Sequence, residues 1–280
     1  SFNYLQVATV DGDRVILRQH IDNSVPITEI AIERKVGSDP FEEIVRIPVN
    51  SGTLTYIDED VDVHSQSYSY RARVIDSCSN AGGLSNEAQT IFLEVQFDDV
   101  SKVSYLNWSA YREFNGSIIA YNIYRGIDGV FIGAPIASVA SHQLSFEDDM
   151  NSIISSGKIC YYVEAIEATN VFGINEISRS NEVCIVLPPL IYIPNAFMPD
   201  GIIKIFRPIL SDFDASDYSF TIFNRWGQTI FQTNLYDEGW DGIIPATNRE
   251  ASGGSYLYMV NVKDANGVEI IQRGHVTLLR

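Results

Sequence analysis

The sequence predicts an all-β protein built as three tandem β-sandwiches. Three observations carry that prediction. Strand-like runs recur every 8–15 residues with turn residues between them, and no segment shows a sustained helical period. Aromatic and β-branched residues, which suit half-buried pleated surfaces, are abundant: 11% of the chain is aromatic, with 15 Tyr and 14 Phe. The first stretch of strands is then repeated at a constant offset.

In order along the chain, Val15 to His20, Ile27 to Lys35, Ile44 to Val49, Thr53 to Ile57, Tyr68 to Asp76 and Thr90 to Val95 read as strands. Six or seven short strands within about 95 residues match an immunoglobulin-like sandwich. The repeat is visible in register. Ile30-Ala-Ile-Glu-Arg34 falls on Tyr121-Asn-Ile-Tyr-Arg125 at an offset of 91, and Leu17 on Trp108 and Tyr70 on Tyr161 at the same offset. Ser85-Asn-Glu87 falls on Ser180-Asn-Glu182 at an offset of 95, so the second copy carries a loop about four residues longer before its last strand. Pro188-Pro189 removes two backbone donors and stiffens the chain, which marks the end of the second copy. The predicted domains are 1–95, 96–188 and 189–280.

The third segment changes style. Tyr218 to Phe223 alternates Phe220 and Ile222 with Thr221 and Phe223. In the strand Gly253 to Val262, Tyr256, Tyr258 and Val260 share one face, and Leu257, Met259 and Asn261 the other. Asn224-Arg-Trp-Gly227 is a turn, Gly239-Trp-Asp-Gly242 sets a large aromatic between two glycines, and Asp264-Ala-Asn-Gly267 is a hairpin turn.

Composition narrows the function. A formal net charge of −17 with no clustered basic patch argues against nucleic acid and against adsorption to anionic lipid. No apolar run approaches the ~20 residues of a membrane helix. The opening Ser1-Phe2-Asn3 reads as the start of a fragment of a longer protein. The acidic clusters Asp58-Glu-Asp60 and Glu147-Asp-Asp149, and Asp212, Asp214 and Asp217, read as solvated loops in preference to Ca²⁺ ligands. The four histidines lie far apart, and no nucleophile, zinc or phosphate-loop motif is present, so neither catalysis nor a cofactor, metal or small-molecule substrate is expected.

Of the three cysteines, Cys160 opens the penultimate strand of the second copy and Cys184 lies in its last strand. A simple hairpin that sets them opposite each other places Ala168 across from Glu176 over a seven-residue loop, a geometry compatible with a disulfide. Closing it contributes about 3 kcal/mol. Cys78 is left as a lone loop thiol.

Two resemblances follow from these residues. Trp108 in the second strand of its copy and Tyr161 in the penultimate one make both copies resemble fibronectin type III domains, with Leu17 in the tryptophan place of the first. Pro194-Asn-Ala-Phe197, Phe223-Asn-Arg-Trp-Gly227, Gly239-Trp-Asp-Gly242 and Gly274-His-Val-Thr-Leu-Leu-Arg280 make residues 190–280 resemble the gliding motility-associated C-terminal domain of Bacteroidetes, the type B cargo signal of the type IX secretion system. Where that family carries an acidic loop after Pro-Asn-Ala-Phe, this chain has Pro199-Asp-Gly-Ile-Ile-Lys204, too poor in oxygen ligands for a hard cation.

The resemblance implies an Ig-like secretion domain, read as a folded unit in the periplasm and delivered through the outer membrane to the cell surface or beyond. It implies as partners an outer-membrane β-barrel shuttle, the translocon and a small barrel dedicated to type B cargo, and as parent a gliding adhesin. It places recognition on Arg225, Trp226, Gly227, Trp240, Asp241, Gly274, His275 and Arg280, with the alternative that Trp226, Trp240 and Asp241 only hold the sandwich. Two other readings stand beside it: an adhesive or carbohydrate-binding pair of modules, and accessory domains of a secreted polysaccharide-degrading enzyme.

Overall fold

The computed structural model describes residues 3–21, 27–50, 52–78, 80–153, 155, 157–170 and 173–280. Among these residues the chain is all-β, in antiparallel sheets apart from one short parallel pairing. It divides into two compact units, one of residues 1–126, 130–152 and 160–184, the other of 127–129, 153–159 and 185–280.

The first unit opens with a sheet of Asn3–Asp11, Arg14–Ile21 and Thr53–Asp58. A second sheet orders Glu42–Pro48, Ile27–Val36, Tyr68–Asp76 and Ala81–Leu84, with Ala88–Gln89 also pairing to Tyr68–Asp76. Period-two alternation puts Leu5, Val15, Leu17, Ile30, Ile32, Tyr70 and Ala72 into one core between them. Asn3–Asp11 adds a strand beyond those expected. The expected run Thr90–Val95 is divided: Leu93–Asp98 pairs with Val103–Trp108 and is the first strand of the second sandwich.

That second sandwich repeats the plan. Ser145–Asp149, Val103–Trp108 and Leu93–Asp98 form one sheet; Ile118–Ile127, Lys158–Glu167 and Ile177–Arg179 form the centre of the other. Leu17 and Trp108 are both buried, so one core position is filled by side chains of different size in the two copies.

The duplication extends to polar groups. Arg34 donates to Asp58 at 2.8 Å and Arg125 to Asp148 at 2.7 Å. Tyr70 and Tyr161 donate their hydroxyls to the same carboxylates at 2.8 and 2.7 Å. Burial raises both phenols out of the titrating range, and the adjacent carboxylate adds to the shift. Asp58 and Asp148 are therefore not part of solvated loops, as the sequence reading had them; they are buried and neutralised from within the fold. Among the described residues no three carboxylates converge to ligand distance, at these loops or at Asp212, Asp214 and Asp217.

The repeated Ser-Asn-Glu segments are clamps. Asn86 accepts from the Leu5 N–H at 2.8 Å and donates to its carbonyl at 3.0 Å; Asn181 does the same to Leu93 at 2.7 and 3.1 Å. Each asparagine ties the last part of its sandwich to the first strand. The serines accept from Ala72 and Val163 N–H. This uses an extra residue in each copy, so the ladder slips by one position there.

The slip corrects the hairpin expectation. Ile166 faces Ile177 and the Glu167 N–H donates to the Glu176 carbonyl, one residue from the predicted Ala168–Glu176 pairing. The bulge at Ser180-Asn181 restores Cys160 opposite Cys184, which form a disulfide with Cα atoms 4.0 Å apart. The corresponding cross-strand pair in the first copy is Ser69–Gln89, so the bridge is an addition of the second copy alone. Cys78 is a free, exposed thiol in the turn after Tyr68–Asp76.

The two sandwiches of the first unit share buried contacts. The Tyr111 hydroxyl accepts from Ala8 N–H at 3.1 Å, Ser178 donates its hydroxyl to the Ala8 carbonyl at 2.7 Å, and Arg179 N–H donates to Thr9 Oγ1 at 2.8 Å. Arg18 pairs with Glu176 beside them.

In the second unit, five strands are ordered Ala196–Phe197, Glu269–Leu278, Gly254–Lys263, Asp214–Phe223 and Thr229–Thr233. Two small sheets, Leu190–Tyr192 with Ile209–Ser211 and Ile243–Ile244 with Arg249–Glu250, accompany it. Phe197, Phe206, Phe220, Ile222, Trp240, Val260, Val262 and Val276 form its core.

Candidate recognition surface

The residues proposed for recognition separate into two groups. Trp240 belongs to the core: it is fully buried, its indole N–H donates to the Ile243 carbonyl at 2.8 Å, and its ring packs on Phe197 and Tyr256 at 5.3 and 4.8 Å. Its backbone exchanges hydrogen bonds of 2.9 and 2.8 Å with Phe206. Gly239 permits that approach, since a Cβ there would lie 2.7 Å from the Phe206 carbonyl oxygen. A partner gripping the folded domain does not reach Trp240, which corrects its assignment as a contact residue. Asp241 is exposed, and its carboxylate accepts from Ile243 N–H at 2.9 Å, holding the turn that follows.

Arg280 and Gly274 are also committed to the fold. The Arg280 guanidinium donates to the Ala251 and Gly242 carbonyls at 3.1 Å each and to Glu250 at 2.7 Å, clamping the segment that contains the 243–250 hairpin. A Cβ on Gly274 would lie 2.3 Å from the Tyr258 hydroxyl oxygen and 2.6 Å from the ring, so glycine there makes room for Tyr258. Both positions therefore serve the fold, while Arg280 stays exposed and Gly274 also borders the groove described below.

The others reach solvent. Asn224 shapes its turn by accepting from the Trp226 and Gln228 N–H groups at 3.0 Å each, and Gly227 adopts φ 79°. Trp226 stands 70% exposed, with the Arg225 guanidinium 4.3 Å from its ring centroid. Burial raises the Tyr256 phenol, and the charges of the Arg280 and Arg225 guanidinium groups oppose that shift. His275 is exposed on the outer face of the last strand, directly across from Leu257.

Around this cluster lies a surface that motif reading missed. Phe223, Leu257 and Met259 sit side by side on the outer face of the five-stranded sheet, with Arg273 and His275 on the adjoining strand. They line an open groove, which also takes in Gly227 and Gly274. The groove lining contains no carboxylate. The signal was present in the sequence: the second face of the Gly253 to Val262 strand carries Leu257 and Met259, although the first face already supplies the core.

No curated protein matches the chain. A solved structure described as a tetra-tandem repeat in the extending region of a large adhesion protein aligns over 99% of this chain and 73% of its own, at 13% identity and a TM-score of 0.38. Residues 191–278 match the family model described as CHU_C type IX secretion signal domain, so the chain carries a type IX secretion signal domain in its second unit.

Proposed function

We propose that this chain is the delivery end of a type IX secretion cargo, its C-terminal domain a type B signal recognised as a folded body by outer-membrane barrel components. The partners are a β-barrel shuttle, the translocon and a small barrel dedicated to such cargo. The destination is the cell surface or the medium, and the parent is a gliding-motility type adhesin. The preceding sandwiches, two fibronectin type III-like modules that meet just before Leu93, act as spacers, and the chain catalyses nothing.

The observation that carries this reading is the family match over 191–278 on a domain whose core is closed and whose outer sheet face is left apolar and exposed. A domain with no partner has no physical reason to gather Phe223, Leu257 and Met259 at its surface. The Arg18–Glu176 and Tyr111–Ala8 contacts support the spacer role, because they make the first two sandwiches one compact unit.

The test is export of the full chain behind a cleavable Sec signal in a bacterium with a type IX system. The chain should reach the exterior. The same chain lacking 191–278 should remain periplasmic, and its export at parental level refutes the reading.

A further inference from the structure

We propose that the free edge of the last strand, Glu269 to His275, receives an extended segment of the export machinery as an added β-strand, one that alternates apolar side chains with carboxylates. This rests on the secretion-signal reading and specifies how that site is gripped.

The edge follows from the hydrogen-bond ladder. Glu269–Leu278 pairs without a bulge along its whole length with Gly254–Lys263. On its other side only Ala196–Phe197 pairs, opposite Thr277 and Leu278. Thr277 N–H donates to the Asn195 carbonyl and Leu279 N–H to the Phe197 carbonyl, each at 2.9 Å. Backbone groups alternate sides along a strand, so the N–H and C=O of Ile271, Arg273 and His275 point the same way as those of Thr277. Among the described residues none of these six groups has a backbone partner. Ala196–Phe197 ends early because the chain turns away at Met198-Pro199, where Gly201 N–H donates back to the Met198 carbonyl at 2.9 Å.

Natural sheets blunt such edges with prolines, bulges, cover or charged side chains. Among the described residues this one has only charge, at Glu269 and Arg273, and Ile271 is 45% exposed on it. An added strand would lie about 4.8 Å away and set alternate side chains beside Ile271, Arg273 and His275, at the rim of the Leu257–Met259 groove. Cross-strand neighbours of opposite charge are favoured. Arg273 at the rim, with no carboxylate in the groove lining, selects a carboxylate at that position of the added strand, and the groove selects apolar residues beside it. Glu269, at the far end of the edge, is engaged by the Asn261 side chain.

The export assay above tests this with two further variants. Arg273→Pro removes an N–H that faces the open edge and leaves the ladder to Gly254–Lys263 intact. Arg273→Glu with His275→Glu keeps the backbone and reverses the charge. Both should retain the parental melting curve and lose export by about tenfold or more. Should the proline variant misfold, the charge variant decides.

A directly observed counterpart uses a synthetic peptide alternating leucine with glutamate. It should slow amide exchange at residues 271, 273 and 275 of the full chain, and its lysine counterpart should not. Folded variants exporting at parental level, while the chain lacking 191–278 stays periplasmic, overturn the edge and leave the secretion reading standing. Equal protection by the two peptides, or none, overturns the edge as well. A dimer in solution that Arg273→Pro dissolves assigns the edge to a second copy and overturns the proposed occupant. Export of the chain lacking 191–278 removes the secretion reading and this inference together.

Discussion

Gly274→Ala separates packing from recognition at one atom. A methyl group on Gly274 would stand 2.3 Å from the Tyr258 hydroxyl oxygen, 2.6 Å from Cζ and 2.9 Å from Cε1. The backbone tolerates alanine, since Gly274 is not among the residues of positive φ. The whole cost therefore falls on Tyr258, whose ring packs on Phe206 at 5.9 Å and lines the core. Overpacking of this kind costs about 1–3 kcal/mol, and losing glycine's freedom in the unfolded chain returns about 0.4–1 kcal/mol. The net expectation is a loss of about 1.3 kcal/mol at the middle of both ranges and about 2.6 kcal/mol at the upper end. For a cooperative domain of this size, each kcal/mol lowers the melting temperature by about 4–8 °C. The assay is calorimetry on the full chain, following the transition of the C-terminal unit. The control is the double-mutant cycle with Tyr258→Ala. In that background the extra methyl has nothing to strike, and Gly274→Ala should be neutral or stabilising. An alanine variant as stable as the parent, or one equally destabilising with and without Tyr258, refutes the packing argument and returns Gly274 to the recognition surface.

Three other outcomes are expected. Asp148→Asn strands Arg125 in a nearly buried site and should lower the stability of the first unit by about 3–5 kcal/mol, with a smaller loss for Asp58→Asn because Arg34 keeps Asp60 as a second partner; a denaturation free energy changed by less than about 1 kcal/mol in Asp148→Asn would contradict the buried ion pair. Cys160→Ser with Cys184→Ser should cost about 3 kcal/mol by freeing a loop with cysteines 24 positions apart, and an unchanged midpoint would mean the bridge adds nothing to an already clamped hairpin. Stability should also fall in acid. Backbone N–H bonds from Val100 hold Asp98 below the usual carboxylate range, and the Asn80 side chain and Asn151 N–H do the same for Asp76 and Asp149. A carboxyl depressed in the folded state stabilises above its unfolded value near pH 4 and loses that contribution as pH falls through the folded value. Equal denaturation midpoints at pH 6 and pH 3 would refute this.

Much of the architecture was legible in the sequence because its signals are local. Tyr68 to Asp76 alternates as the pleat requires, and Asp264-Ala-Asn-Gly267 closes its hairpin with Gly267 at φ 80°. Spacing alone set Arg34 on Arg125 and Tyr70 on Tyr161, because a duplicated chain keeps its register. What local pattern does not carry is the far side of a contact. Asp58 looked like one of three acids on a loop, and only the fold brings Arg34 and Tyr70 to its oxygens. The hairpin at Cys160 looked regular, and only the use of Ser180 and Asn181 as clamps adds its extra residue.

The sequence by itself determined the strand pattern, the duplication, the pairing of Cys160 with Cys184 and the motifs that mark the last domain, since each is a matter of residue type and spacing. The tertiary structure alone decided which motif residues reach the surface. Trp226 and Trp240 stand in equally memorable motifs, yet one is 70% exposed and the other has no exposure at all. Burial depends on what the rest of the chain lays over a side chain, and no spacing along one strand records that.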